Sequence, residues 1–334
     1  MTDFRTVQGQ EKLHQHDFNI YSNGKYKNIF VPIFRPEYFG VHMAIDEKHI
    51  NNQYYTVLSN AKTGKVALLC STIRANELKI CLDKFGPILE TVNYVSLDLS
   101  PTFELVVNEN FTNAIQIADK FHVIKNGIED LQAIRIRLKQ EELKLQREEQ
   151  ALHEKKHKES KDKILIGPKM KVAKGFKIKK LANGETAPEL LSRSRYLLAI
   201  SQDKWNEYQQ RRAIILFEKY PSLKEAYQCV IDFREWYKPK KAHFEPFINE
   251  RELGNWIDKA ENNPNNEIKN FSNLVKNHEE RILNYHKHGN KTNAIAESVN
   301  AKIKEAIRQN KGCRDLDFYA CRELYYNINR LRCS

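Results

Sequence analysis

The sequence predicts an α/β chain: a mixed sheet with helices packed against it, then a long helical segment. Three observations carry this. Residues 41–136 alternate short apolar, β-branched runs with runs of helical spacing, in the order βββαβαβα. At Lys139 the composition shifts toward charge. From Leu190 to Gln309, apolar and aromatic residues recur at every third and fourth position.

Val41–Ile45 is an apolar run that meets Asp46, and Tyr54–Ser59 is aromatic and β-branched. Asn60–Gly64 has turn chemistry, and Lys65–Cys70 is apolar again, so the three runs read as an antiparallel meander. Ala75–Phe85 places Leu78, Cys81, Leu82 and Phe85 on one helical face, and Gly86-Pro87 ends it. Val92–Leu97 is the next strand, closing at Asp98. Ser100-Pro101 then starts a helix over Pro101–Asn108, with proline suited to its first turn. Ala114–Ala118 is a further strand that meets Asp119, and Phe121–Ile136 is helical.

Lys139–Lys180 holds 14 Lys/Arg against 7 Asp/Glu, more than half of the net charge of +12 on 334 residues. Its first half reads as a solvated helix with i,i+4 charge pairs. Its second half, with Lys171, Lys174 and Lys177, interleaves lysine with Met170, Val172, Phe176 and Ile178. That pattern suits either a charged surface loop or a surface that tracks phosphates. Beyond it, Trp205, Tyr208, Ile215, Phe217, Leu223, Tyr227, Phe233 and Trp236 read as helical core. Tyr220-Pro221, Lys238-Pro239, Glu261–Asn266 and His288–Thr292 read as the breaks between helices.

A hydrophobic content of 41% excludes a disordered chain. With a mean hydropathy of −0.67, no run has the roughly 18 apolar residues of a membrane span. The N-terminus has no apolar signal core, so a cytoplasmic protein is expected. The six cysteines (70, 81, 229, 313, 321 and 333) form no CxxC pair, which fits reduced thiols rather than a zinc ribbon or a disulfide framework. Phosphate-loop, dinucleotide, zinc-protease and serine-hydrolase motifs are absent. The positive charge points to a polyanionic partner, nucleic acid first.

The candidate chemistry lies in carboxylates. Asp46 and Asp98 each follow an apolar strand, and on adjacent strands they would meet at one sheet edge, where acidic oxygens hold hard cations. Glu297, Ala301, Lys304 and Arg308 share a face of a helix that Thr292 or Asn293 would cap. That face suits a metal ligand with phosphate contacts beyond it, and equally an exposed, salt-bridged helix. Asp119 and His122, three apart at a strand-to-helix junction, suit a ligand pair, a proton shuttle or a structural hydrogen bond.

At these residues the chain resembles the DDE transposases of bacterial insertion sequences, in the group with a DRFH-like motif. That motif stands here as Asp119-Lys120-Phe121-His122 within IADKFH. The resemblance also rests on Ile45-Asp46-Glu47, Tyr55-Thr56-Val57, Val95–Asp98 and Phe103, where a tyrosine is usual. Near the C-terminus it rests on Thr292, Asn293, Glu297, Asn300, Ile303, Lys304, Gly312, Phe318 and Arg322, with Cys313 in place of an aromatic. It spans roughly residues 40–330.

The resemblance implies a ribonuclease H-like mixed sheet with a large helical insertion before the last catalytic helix. The segments would be a lead-in over 1–40, the first part of the core over 41–138, the basic segment and insertion over 139–285, and the catalytic and closing helices over 286–334. Asp46, Asp98 and Glu297 would be the catalytic acids and would bind Mg²⁺ or Mn²⁺, two ions in all. Asp119, the other candidate for the second acid, would be a supporting residue with His122 and Asn300. Lys171, Lys174, Lys177, Lys304 and Arg308 would bind DNA. The resemblance further implies cleavage and strand transfer at insertion-sequence ends, double-stranded DNA as partner, a homo-oligomer on DNA, and a bacterial, nucleoid-associated location. Family members carry a zinc-binding segment and a helix-turn-helix ahead of the core. The residues before Val41 hold no cysteine, so either a separately encoded recognition protein or a truncated copy is expected. The competing readings are a structure-specific nuclease or resolvase with the same metal core, and a transposase-derived DNA-binding protein without catalysis.

Overall fold

The computed structural model describes residues 18–22, 25–31, 33–50, 53–163, 177–239 and 246–291. The chain divides into two compact units. One takes residues 1–123, 239–249 and 278–334, and the other takes 124–238 and 250–277.

The first unit is built on a six-stranded mixed sheet. It is preceded by a separate antiparallel hairpin, β1 (Phe18–Ser22) with β2 (Lys25–Ile29). The sheet strands are β3 (Ile33–Phe34), β4 (His42–Ile50), β5 (Gln53–Asn60), β6 (Val66–Cys70), β7 (Tyr94–Leu97) and β8 (Ile115–Ala118). Their spatial order is β3-β6-β5-β4-β7-β8. The β3–β6, β6–β5 and β5–β4 pairs are antiparallel, while β4–β7 and β7–β8 are parallel. The strand order and senses are compatible with a ribonuclease H-like catalytic domain.

Local chemistry explains these connections. Between β5 and β6, Asn60 Oδ1 accepts from the N–H groups of Lys62 and Thr63 at 2.9 and 3.0 Å, and Gly64 takes a φ of +73°. Parallel strands need crossovers. Helix α1 (Ala75–Asp83) and a 3₁₀ segment (Gly86–Thr91) carry the chain from β6 to β7, and helix α2 (Pro101–Asn110) carries it from β7 to β8. Leu78, Cys81 and Leu82 of α1 share a core with Phe103, Val106 and Val107 of α2 and with Leu58, Leu68, Val95 and Leu97 of the sheet. Each such side chain, fully buried, contributes about 1.5–3 kcal/mol.

Two expectations change in this unit. The sequence reading placed the first strand at Val41, but β1, β2 and β3 precede it, and β3 forms the sheet edge beside β6. The reading also ended the strand that starts at Val41 at Asp46. β4 instead continues to Ile50, because Asp46 to Ile50 pair with Val57 to Gln53 of β5.

Helix α3 (Lys120–Lys163) is a single helix of 44 residues, about 66 Å long. It joins two stretches that the sequence suggests separately, and the composition change at Lys139 falls inside it. From Ile124 it belongs to the second unit, with α4 (Ala187–Arg193), α5 (Arg195–Ala199), α6 (Glu207–Lys219), α7 (Pro221–Trp236), most of α8 (Pro246–Glu261) and α9 (Asn266–Asn277). Capping boxes start α4 at Thr186 with Glu189, and α6 at Asn206 with Gln209. Phe233, Trp256 and Phe271 form the aromatic centre, with centroids 4.6–5.4 Å apart, and Trp256 Nε1 donates to the Cys229 carbonyl at 2.8 Å. Gly127 lets α3 approach this centre, since a Cβ there would stand 2.7 Å from the Phe271 ring. Tyr208, expected in the core, is 62% exposed and lies against the Arg212 guanidinium, 4.5 Å from its ring centroid.

Helix α10 (Glu279–Lys287) returns to the first unit and packs along β8. Asn284 Nδ2 donates to the Gln116 carbonyl at 2.9 Å, and Arg281 pairs with Glu104 of α2 at 2.8 Å.

Candidate active site

The parallel half of the sheet sets the site. Ile45 pairs with Leu97, and Leu97 with Ala118. The next residue on each strand is an acid: Asp46, Asp98 and Asp119. The register thus brings three carboxylates to one edge, across three neighbouring strands.

Each has a distinct setting. Asp46 is 7% exposed; its Oδ1 accepts from the Glu47 N–H at 2.7 Å, and its Oδ2 lies 2.8 Å from Lys48 Nζ. Asp98 is half-buried, and its Oδ1 accepts from the Ser100 N–H at 2.9 Å, just before α2 begins. Asp119 is 4% exposed and starts α3, with Oδ1 accepting from the Phe121 N–H at 2.9 Å. Its Oδ2 lies 3.9 Å from His122 Nε2.

The electrostatics follow from this crowding. Burial pushes the Asp98 carboxyl above the usual range, and the charges of Asp46 and Asp119 add to the push; the Ser100 N–H and His122 oppose it. Burial also raises Glu47, with Asp98 and then Asp46 adding to the shift. The sequence reading carried Glu47 only as part of a motif and missed Lys48. Lys48 would have been legible had the strand been extended past Asp46, because residues i and i+2 of a strand share a face.

The donor chemistry fits a hard divalent cation. Carboxylate oxygens are the ligands Mg²⁺ and Mn²⁺ prefer, and charge gathered in a partly desolvated site is what a cation relieves. Among the described residues, no three His, Cys, Asp or Glu side chains are arranged to hold an ion by themselves. Glu297, Asn300, Lys304, Arg308, Lys171 and Lys174 lie outside the described residues. Lys177 is described and exposed, in a stretch through Lys180 that is neither helix nor strand.

At the opposite end of β4, His42 Nε2 lies 2.8 Å from Ser96 Oγ. Burial, followed by the charge of Lys291, lowers the His42 pKa to about 4. Lys291 Nζ stands 4.4 Å from the Tyr94 ring centroid, at the start of β7.

A mixed sheet whose parallel strands end in clustered carboxylates defines an α/β domain with an acid-lined edge. The chain belongs to a family of DDE-type transposases, the ISL3 group: the profile of that family, described as transposase, matches residues 43–323. No curated protein and no solved structure matches the chain. Among the described residues, no helix is long and apolar enough to cross a membrane.

Proposed function

We propose that the protein cleaves DNA at insertion-sequence ends and joins the freed strand to target DNA, with Asp46, Asp98 and Glu297 as its metal-binding acids. The observation that carries this is the register of β4 and β7, which puts Asp46 and Asp98 side by side in a chain of a transposase family.

Asp46 and Asp98 hold the ion through carboxylate oxygens fixed by the Glu47 and Ser100 N–H groups. Asp119 has one oxygen on the Phe121 N–H at the start of α3 and the other toward His122, so it would position rather than ligate. It orients His122, whose charge acts on Asp98. For Glu297, the support is reach. Lys291 stands at Tyr94, and the six residues on to Glu297, helical from Thr292 or Asn293, would span about 11–13 Å, close to the roughly 13 Å that the strand covers from Tyr94 to Asp98. The chemistry that bound Mg²⁺ or Mn²⁺ supplies is activation of water and stabilisation of the leaving 3′ oxygen. No side-chain nucleophile is required.

Lys177, with Lys171, Lys174, Lys304 and Arg308, would hold phosphates without reading sequence. Choice of the element's ends would fall to a separately encoded protein. The working state would be a homo-oligomer on DNA in the bacterial cytoplasm, at the nucleoid. The residues on either side of the insertion, 41–138 and 286–334, would form the core.

The test is a reaction of the full chain with labelled end duplexes and target plasmid in Mg²⁺. Strand-transfer products that vanish with Asp98→Asn are expected. Hydrolysis without joining would mark a nuclease, and Mg²⁺-independent binding alone a DNA-binding protein. Undiminished cleavage by Asp98→Asn would overturn the assignment.

A further inference from the structure

Lys48 is not accounted for by the reaction above. Its ammonium lies 2.8 Å from Asp46 Oδ2, and both side chains are nearly withdrawn from water, 13% and 11% exposed. The pair is built into the strand: residues 46 and 48 share one face of β4, held in register by Val57 and Tyr55 of β5. An ion pair this far out of water is retained only where the geometry compensates its desolvation. The compensation is local, because Asp46, Glu47 and Asp98 gather negative charge that Lys48 partly offsets.

We propose that Lys48 is a tethered counter-cation for Asp46: it occupies the carboxylate in the metal-free protein and is displaced when a divalent ion binds. This rests on Asp46 being a metal ligand. An ammonium and a divalent ion on the same carboxylate repel each other across it, so each weakens the other's hold. Lys48 therefore competes with the ion and weakens metal binding in the absence of DNA. The displaced ammonium stays on its stem beside the site, where a DNA phosphate is its natural new partner. Metal and DNA thus bind more tightly together than either does alone.

The experiment is a titration of the full chain with Mn²⁺, read by the loss of the free-ion paramagnetic resonance signal, with and without a duplex. Lys48→Gln and Lys48→Met should each bind Mn²⁺ at least about fivefold more tightly without DNA, and DNA should enhance their affinity less than it does the parent's. Lys48→Arg should stay close to the parent. Unchanged or weaker Mn²⁺ affinity in both neutral variants, with circular dichroism matching the parent, would overturn the counter-cation role while leaving Asp46 as a ligand. Undiminished Mn²⁺ binding by Asp46→Asn would instead overturn the ligand assignment, and the counter-cation with it.

Discussion

Asp46 and Asp98 occupy neighbouring places on two parallel strands, each one residue beyond the Ile45–Leu97 pair. Neither needs a special loop to reach the other. The sheet aligns them before any ion or DNA is bound, and the chain accepts their repulsion as the cost.

Removing that repulsion should separate stability from activity. Asp98→Asn keeps an oxygen to accept the Ser100 N–H but removes the charge. We expect the metal-free protein to be more stable by roughly 1 kcal/mol, and cleavage to be reduced by about 10²–10³-fold or more. Calorimetry and single-turnover cleavage check the two halves; a destabilised variant would contradict the first.

His122 should matter less than the acids. It acts through Asp119 and through its charge on Asp98. His122→Ala is expected to lower the rate by about 10–100-fold, as loss of an outer partner of a metal site does. A defect as deep as that of Asp46→Asn would make His122 a ligand.

His42 should make the fold acid-sensitive. Its pKa falls from 6.5 to about 4 in the folded chain, so the unfolded chain binds the proton more readily. Stability is then full above pH 6.5 and is lost as pH falls toward 4, by about 3 kcal/mol for this group. Urea unfolding across that window should show the loss, and His42→Gln should flatten it.

Two glycines should respond in opposite ways. Alanine at Gly127 would meet the Phe271 ring at 2.7 Å, an overpacking that costs about 1–3 kcal/mol. Alanine at Gly254, inside α8, meets nothing within 4 Å and should stabilise by about 0.5–1 kcal/mol. Thermal melts of the two variants give the comparison.

DNA binding by this chain should be salt-sensitive. If phosphate contacts dominate, affinity for any duplex should drop by about 10³-fold or more between 50 and 200 mM salt. A salt-resistant preference for end sequences would place recognition within these 334 residues.

Much of the sheet was legible because its signals are local. The Asn60–Gly64 turn, the Gly86-Pro87 stop and the Ser100-Pro101 start all stand where the residues predict. The lost detail has physical causes. β3 has two residues, too few to show a period. β4 beyond Asp46 runs through Lys48 and His49 and pairs only with β5, so no apolar run marks it. The 44-residue α3 changes composition along its length while its backbone does not change, so charge alone divides it wrongly. Asp46, Asp98 and Asp119 were each visible as acids after apolar runs. That Asp119 stands in the same row as Asp46 and Asp98 was not, because strand register is a long-range property.

The return of α10 to β8 has a consequence for how the protein is made. The Asn284–Gln116 and Arg281–Glu104 contacts join residues 168 and 177 positions apart. A ribosome adding about 5–20 residues each second takes roughly 10–30 s to cover that interval. For that time the nascent chain has the acids of β4, β7 and β8, while one side of β8 waits for its helix. Translation that stops inside the second unit leaves β8 without the helix that packs along it. Placing α10 after the second unit ties the covering of β8 to synthesis of that whole unit.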